Sequence, residues 1–268
     1  MTPRVPPRGV RSPDVSLSER DTTASGGLER AAAILDAFDP AHRELTLAAL
    51  VRRSGLPRST THRLADRMLA LGWLDKPHDR YRIGNRLFEL SGLAPIRTEL
   101  RESVLPFMQD LYNTVRTTVQ LGVLDGSQVL IVEKIAGHRP MPMLSQVGGT
   151  VPTFCSALGR ALLAYSPRSV VDAVLAGDLP ARTPRTLTNP AAIRRELAAM
   201  PDRGWAVERE EGNIGVTCVA APIFGPDGTV AAAVSITGPT GLVRPDRAGP
   251  AVRLVAAAAS RAFSKQSR

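Results

Sequence analysis

The chain has 268 residues, 43% of them hydrophobic, with a formal net charge of +9 and a pI of about 10.6. That is enough apolar material for more than one core, yet no apolar run approaches the roughly 18 to 20 residues of a membrane span. Two cysteines, Cys155 and Cys218, stand far apart and outside any CxxC or CxxH pair. A secreted disulfide scaffold and a zinc centre are therefore not expected, and the excess of positive charge suits phosphate-rich partners.

Residues 1–25 are rich in Pro, Arg, Ser and Thr without hydrophobic periodicity, which predicts a disordered arm. They also lack the apolar stretch of a signal peptide, so a cytoplasmic protein is expected. Leu28, Ala31, Leu35 and Phe38 recur at helical spacing, and Asp39-Pro40 should end that helix. The stretch from Leu47 to Leu71 then reads as two short amphipathic helices joined by a tight turn. Thr46 is placed to cap the first, Ser54-Gly55 supplies the turn, and Pro57 suits the start of the second. In the second helix Thr60, Leu64, Met68 and Leu71 should share a buried face, with Arg58, Ser59, Thr61, His62 and Arg63 left to the major groove of DNA. An ordinary two-helix corner would give the same spacing.

The flanks favour the DNA reading. From Leu50 to Arg86 nine Lys or Arg stand against three Asp or Glu, a local charge of 9 − 3 = +6. Gly72-Trp73-Leu74 and Tyr81-Arg82-Ile83 enclose a polar, basic turn, as in a β-wing. Lys76, Arg80 and Arg82 would reach the DNA backbone from it. A further helix from about residue 85, with Leu87 and Leu90 on its apolar stripe, is a natural linker and dimer contact, and Pro95 should end it. The expected domains are thus 1–25 (arm), 26–84 (winged helix-turn-helix), 85–98 (linker helix) and 99–265.

The second half mixes helices with antiparallel hairpins, an α+β pattern. Leu100 to Val115 is helical. Strands Thr118–Leu124 and Gln128–Ile135 meet across Asp125-Gly126, a strong hairpin signal. Helices follow at Ser156–Tyr165, Arg168–Ala176 and Ala191–Met200. A second hairpin, Thr217–Phe224 with Thr229–Thr237, precedes a last helix at about Arg247–Phe263.

Several short motifs in this order resemble the IclR family of bacterial transcription regulators, from about Gly27 to Ala262. They are Gly27-Leu28-Glu29-Arg30-Ala31; Ser54-Gly55-Leu56-Pro57-Arg58-Ser59-Thr60 with Arg63-Leu64; Gly72-Trp73-Leu74; the run Gly148 to Tyr165 (GGTVPTFCSALGRALLAY); Gly212 to Pro222; and Ser235-Ile236-Thr237-Gly238-Pro239. The resemblance implies a winged helix, a linker helix, a GAF-like domain that binds a small molecule, and a homodimer, often a dimer of dimers on DNA. It also implies that the ligand sits between the start of the Ser156 helix and the strands carrying Cys218 and Ser235. Ser156, Ala157 and Leu158 would offer helix N-terminal N–H groups to a carboxylate. Cys218, Ser235 and Thr237 would add donors, Met141 and Met143 an apolar wall, and Glu208 an acid that closes the pocket or repels an anion.

The expectation is a ligand-responsive DNA-binding regulator controlled by a small carboxylic acid, with repressor favoured over activator and no membrane, metal, cofactor or catalytic role. Two alternatives stand beside it. One is an enzyme using Cys155 or Cys218, a reading that lacks a histidine motif to serve as base. The other is an architectural DNA-binding protein that senses nothing.

Overall fold

The computed structural model describes residues 26–94, 96–136 and 145–266, which fall into two compact units that meet in sequence at Thr98/Glu99. Met141 and Met143 lie outside the described residues, as does the expected arm at 1–25.

The N-terminal unit opens with α1 (Gly27–Leu35), α2 (Leu47–Ser54) and α3 (Arg58–Ala70). Thr46 caps α2, its hydroxyl accepting from the Ala49 N–H at 3.3 Å, and Gly55 closes α2 in the left-handed region at φ 68°. Helix α1 stops at Leu35, short of the expected Phe38. There Asp39 starts a turn of its own, taking the N–H groups of Ala41 and His42 at 2.8 Å each. Strands β1 (Leu74–Asp75) and β2 (Arg82–Ile83) form the wing hairpin. Tyr81 exchanges two backbone hydrogen bonds with Leu45 and is fully buried, so the wing is pinned to the helical core. That core joins Ile34, Leu50, Leu56, Ala65, Met68, Leu74 and Tyr81. Helix α4 (Asn85–Ser91) follows, with Phe88, Leu90 and Leu93 exposed on it and just past its end.

The buried stripe of α3 differs from the expected one by one position. Thr61, Ala65 and Met68 face inward, whereas Leu71 is 60% exposed. Thr61 can turn inward because its hydroxyl bonds back to the Pro57 carbonyl at 3.1 Å, which removes the cost of burying it. Thr61→Val keeps the shape and deletes that bond. It is expected to cost about 1 kcal/mol in chemical unfolding while leaving DNA affinity within about twofold in a titration; a residue reading bases would show the opposite balance.

The C-terminal unit is a six-stranded antiparallel sheet in the order β5-β4-β3-β8-β7-β6 with helices on both faces. Its strands are β3 (Thr118–Asp125), β4 (Gln128–Ile135), β5 (Thr150–Pro152), β6 (Ala206–Arg209), β7 (Val216–Phe224) and β8 (Val230–Pro239). The two edge strands, β5 and β6, escape sequence patterning because they are only three and four residues long. A π-helical turn (Ile96–Arg101) leads into α5 (Glu102–Val115), which packs with α9 (Pro245–Gln266) on one face. The opposite face carries α6 (Ala157–Leu163), backed by α8 (Pro190–Arg203); α7 (Arg168–Ala176) lies between them in sequence. Helix α8 runs past Pro201 to Arg203, where Gly204 at φ 85° caps it.

Strand alternation sorts the side chains by face. Val119, Leu121, Val219, Val234 and Ile236 share one face, while Gln120, Cys218, Ser235 and Thr237 share the face covered by α6. Gly159 lets α6 sit close: a Cβ there would fall 2.2 Å from the Thr153 backbone. Among the described residues no helix is long and apolar enough to cross a membrane.

Candidate functional site

In the N-terminal unit, α3 presents one open face lined by Arg58, Ser59, His62, Arg63, Asp66 and Arg67, with Leu47 from α2 beside them. Four of the six α3 side chains can carry positive charge at a helix surface, the composition a duplex backbone attracts. Asp66 sits 3.0 Å from His62 Nδ1 and fixes that ring on the same face. Arg67 belongs to this face as well, though sequence reasoning passed over it; counting on by four from Arg63 would have found it. Thr61 is not there: it lies inside the unit. On the wing, Lys76 is held by Asp79 at 2.9 Å and lies 5.1 Å from the Tyr81 ring centroid. Arg82 is 3.4 Å from Asp75, and Arg80 is exposed. The wing turn passes through His78 and Asp79 at positive φ (48° and 64°).

In the C-terminal unit a cavity of about 90 Å3 lies between α6 and the sheet. That is several times the roughly 10 to 15 Å3 needed to admit a single water, so the cavity has room for a small molecule. Ile131, Val151, Leu158 and Val216 supply apolar wall, and Gln120, Ser145, Ser156, Cys218 and Thr237 supply polar groups. Such a mostly apolar pocket with a few convergent polar groups is what a small ligand requires.

Ser156, Leu158, Glu208, Cys218 and Thr237 are thus brought to one cavity. Ala157 is fully buried, its N–H directed at the Cys218 sulfur. Ser235 is also fully buried, 3.5 Å from the Thr237 hydroxyl, and supports the lining from behind. Ser156 is occupied as the N-cap of α6: its Oγ accepts from Gly159 N–H at 3.1 Å and donates to the Pro152 carbonyl at 2.7 Å. The Cys218 sulfur lies 3.0 Å from Thr237 Oγ1, which in turn donates to Gln120 Oε1 at 3.3 Å.

Charges complete the site. Glu208, 5% exposed, accepts the N–H groups of Glu211 and Gly212 on one oxygen, at 2.5 and 3.1 Å. Burial raises its carboxyl from 4.5 to about 7, against the opposing pull of those two donors. Just outside the cavity, Arg160 of α6 makes a two-pronged ion pair with Glu211 at 2.6 and 2.5 Å, both groups buried. Arg182, an exposed residue from the segment between α7 and α8, also lines the cavity. Arg160, Glu211, Arg182 and Gln120 were not anticipated. Arg160 interrupts the apolar run Ala157–Leu163, and an ionic residue there signals a buried partner.

The Glu208 shift has a thermodynamic consequence. A carboxyl whose native pKa lies above its unfolded one stabilises the fold most below the unfolded value, about 4.5, and that contribution is lost as pH rises through about 7. About two and a half units at 1.36 kcal/mol each make the effect on the order of 3 kcal/mol. The C-terminal unit of wild type should therefore lose stability between pH 4.5 and 7 relative to Glu208→Gln, which keeps the shape and does not titrate. Parallel melting profiles for the two proteins over that window would show that Glu208 titrates normally.

A winged helix-turn-helix ahead of a sheet-and-helix unit with an internal cavity is matched in known proteins. Residues 27–78 match the IclR helix-turn-helix domain, and residues 94–264 match the C-terminal domain of the bacterial transcriptional regulator IclR. The chain belongs to the IclR family. It is 33% identical over 232 residues to the glycerol operon regulatory protein of Streptomyces griseus, covering 86% of this chain and 91% of that one. It is 29% identical to the transcriptional repressor IclR of Escherichia coli, with 92% of each chain covered. Among solved structures, an IclR homologue from Microbacterium hydrocarbonoxydans complexed with 4-hydroxybenzoate superposes with a TM-score of 0.83. It is 31% identical, and the match covers 89% of this chain and 99% of that one. The protein is accordingly a transcriptional regulator with a helix-turn-helix DNA-binding domain and a C-terminal effector domain.

Proposed function

We propose that the protein binds operator DNA through the exposed face of α3 and releases or re-sets that binding when a small carboxylic acid enters the C-terminal cavity. The single observation that carries this reading is the cavity itself: a pocket of small-molecule size, lined by convergent polar groups, in the domain that the family uses for effectors. The 4-hydroxybenzoate complex of a relative supports an organic acid as the class of ligand. Arg58, Ser59, His62 and Arg63 read the major groove, and Lys76, Arg80 and Arg82 hold the flanking backbone. Residues 26–84 are the reader, 85–98 the linker and 99–265 the sensor, in a cytoplasmic homodimer or dimer of dimers that acts as a repressor. The exposed Phe88 and Leu93 support the linker as a contact between copies.

The two thiols are poor candidates for catalysis. Burial pushes Cys155 up to about 11 and Cys218 up to about 12, so neither is a thiolate at neutral pH. No histidine lines the cavity among the described residues. The test is thermal unfolding in the presence of small carboxylic acids, with each acid followed by NMR. A rise in melting temperature of the C-terminal unit without loss of the acid is the expected result. Turnover of the acid would make the protein an enzyme, and indifference to every acid would leave it a DNA-binding protein without this sensor.

A further inference from the structure

Helix α9 has one buried face and one cationic face. Ala248, Val252, Ala256 and Ala259 are buried on the side that meets α5 and the sheet. Arg247, Arg253, Arg261 and Lys265 are exposed. At 3.6 residues per turn these four cations fall within an arc of about 120° on the outer side. From Arg247 to Lys265 the axis rises about 27 Å, the length of about eight base-pair steps of a duplex. The helix carries one acid, Asp246, which lies 3.5 Å from Arg244. None of the four cations makes a side-chain hydrogen bond or ion pair among the described residues, unlike Arg160, Arg185 and Arg194. Arg247 lies in the first turn, where the helix dipole disfavours a cation, so helix stability does not account for its place.

The stripe rests on a fixed support. A Cβ at Gly249 would fall 2.2 Å from the Trp205 ring, and one at Gly204 would fall 2.7 Å from the Arg253 side chain. Helix α9 therefore sits directly on the segment that leads into β6, with Arg253 held over it. Arg203, the last residue of α8, donates to the Trp205 carbonyl at 2.7 Å and brings a further guanidinium to the Arg253 side of the stripe; its ionic neighbour is Glu196 at 3.7 Å.

A row of unpaired cations on a fixed helix attracts a row of anionic groups. A second copy of α9 does not supply them: in a two-fold contact the same face meets itself, and cation would meet cation. Leu254, exposed between the cations, is a single apolar side chain that needs no cover. Duplex DNA does supply the anions. The N-terminal unit of the same chain already holds it, so a contact from the C-terminal unit is intramolecular and needs little affinity of its own. We propose that the outer face of α9 is a second contact to duplex DNA, independent of sequence, in which Arg247, Arg253, Arg261 and Lys265 lie along the phosphate backbone. This contact is separate from the reading face of α3 and from the effector cavity.

The experiment is fluorescence-anisotropy titration of the full chain with two labelled duplexes over a series of salt concentrations. One duplex has an arbitrary sequence and the other is a fragment that the protein enriches from genomic DNA. Wild type is compared with the triple variant Arg247→Gln, Arg253→Gln and Arg261→Gln, which removes three charges and keeps helix propensity. Affinity for both duplexes should fall by the same factor, about tenfold or more at physiological salt, and the slope of log K against log salt should fall by about two to three. Lysine at the same three positions keeps the charge and should recover most of the affinity. Equal melting temperatures of the three proteins would show that the fold is intact. Failure of the α3 reading would instead erase the difference between the two duplexes, which the α9 variant preserves. Ala257→Cys, exposed among the cations and labelled with a benzophenone, locates the contact, since both native cysteines are buried. Photo-crosslinking to the duplex is the expected result. If the glutamine variant binds with wild-type affinity and salt slope, or if position 257 crosslinks to a second copy of the chain or to nothing, the α9 contact is overturned.

Discussion

Glu211→Ala is expected to destabilise the C-terminal unit by about 3 to 5 kcal/mol, the largest single-residue effect outside the glycine contacts. The Arg160 and Glu211 side chains are 4% and 8% exposed. Arg160 also donates to the Phe154 and Val207 carbonyls, at 3.1 and 3.3 Å, and Glu211 Oε2 accepts the Leu187 N–H at 3.1 Å. A guanidinium cannot shed its proton to escape burial, so removing Glu211 strands a full charge in a dry site. Replacing both partners with apolar residues, Arg160→Met with Glu211→Leu, should cost less than either single removal. A double-mutant cycle in urea unfolding should then return a coupling of about 2 kcal/mol or more. Because Glu211 ties the strap 182–187 to α6, Glu211→Ala should also weaken effector binding. A cost below about 1 kcal/mol would mean the pair does not organise the wall of the cavity.

The second large effect concerns DNA. Arg58→Ala and Arg63→Ala should each weaken operator binding by about 1 to 3 kcal/mol, roughly five- to 150-fold. Both lie on the open face of α3, away from the core that Thr61, Ala65 and Met68 build, so stability should barely move. The salt dependence tells the two roles apart. A residue on phosphate lowers affinity evenly across sequences and reduces the salt slope by about one; a residue on a guanine edge loses sequence preference with little change in slope. Effector affinity should be unchanged in both variants. If both bind operator like wild type, α3 is not the reading helix.

These two regions differ in how far the sequence disclosed them. Helix caps and turns were open to reading because one side chain decides each: Thr46 caps α2, Gly55 ends it, and Asp125-Gly126 closes the β3–β4 hairpin. The stripe of α3 was displaced because Thr60 and Thr61 are chemically alike. Which of them turns inward depends on a bond to the Pro57 carbonyl, and hydrophobicity patterns do not count such bonds. The family resemblance pointed to Cys218, Ser235 and Thr237, and alternation put Ser235 and Thr237 on one face; Gln120 of β3 lines the same cavity and was signalled by neither. Arg182 could not follow from spacing. It lies in an irregular segment, and its position is set by Thr183 and Thr186 bonding across to carbonyls some 25 residues away. Long-range hydrogen bonds of this kind leave no periodic trace in a sequence.

The central proposal is that an acid in the C-terminal cavity changes what the N-terminal unit does on DNA. Coupling of this sort is a difference in effector affinity between two states of the protein, and in allosteric proteins it typically amounts to about five- to 150-fold. The most direct test is selection of sheared genomic DNA from the source organism by the full-length protein at physiological salt, sequenced with and without each acid that stabilises the C-terminal unit. The expected result is a small set of enriched, two-fold-related sites whose recovery falls or rises at least about fivefold with one acid. Enriched sites indifferent to every stabilising acid, or no enriched sites at all, would contradict it.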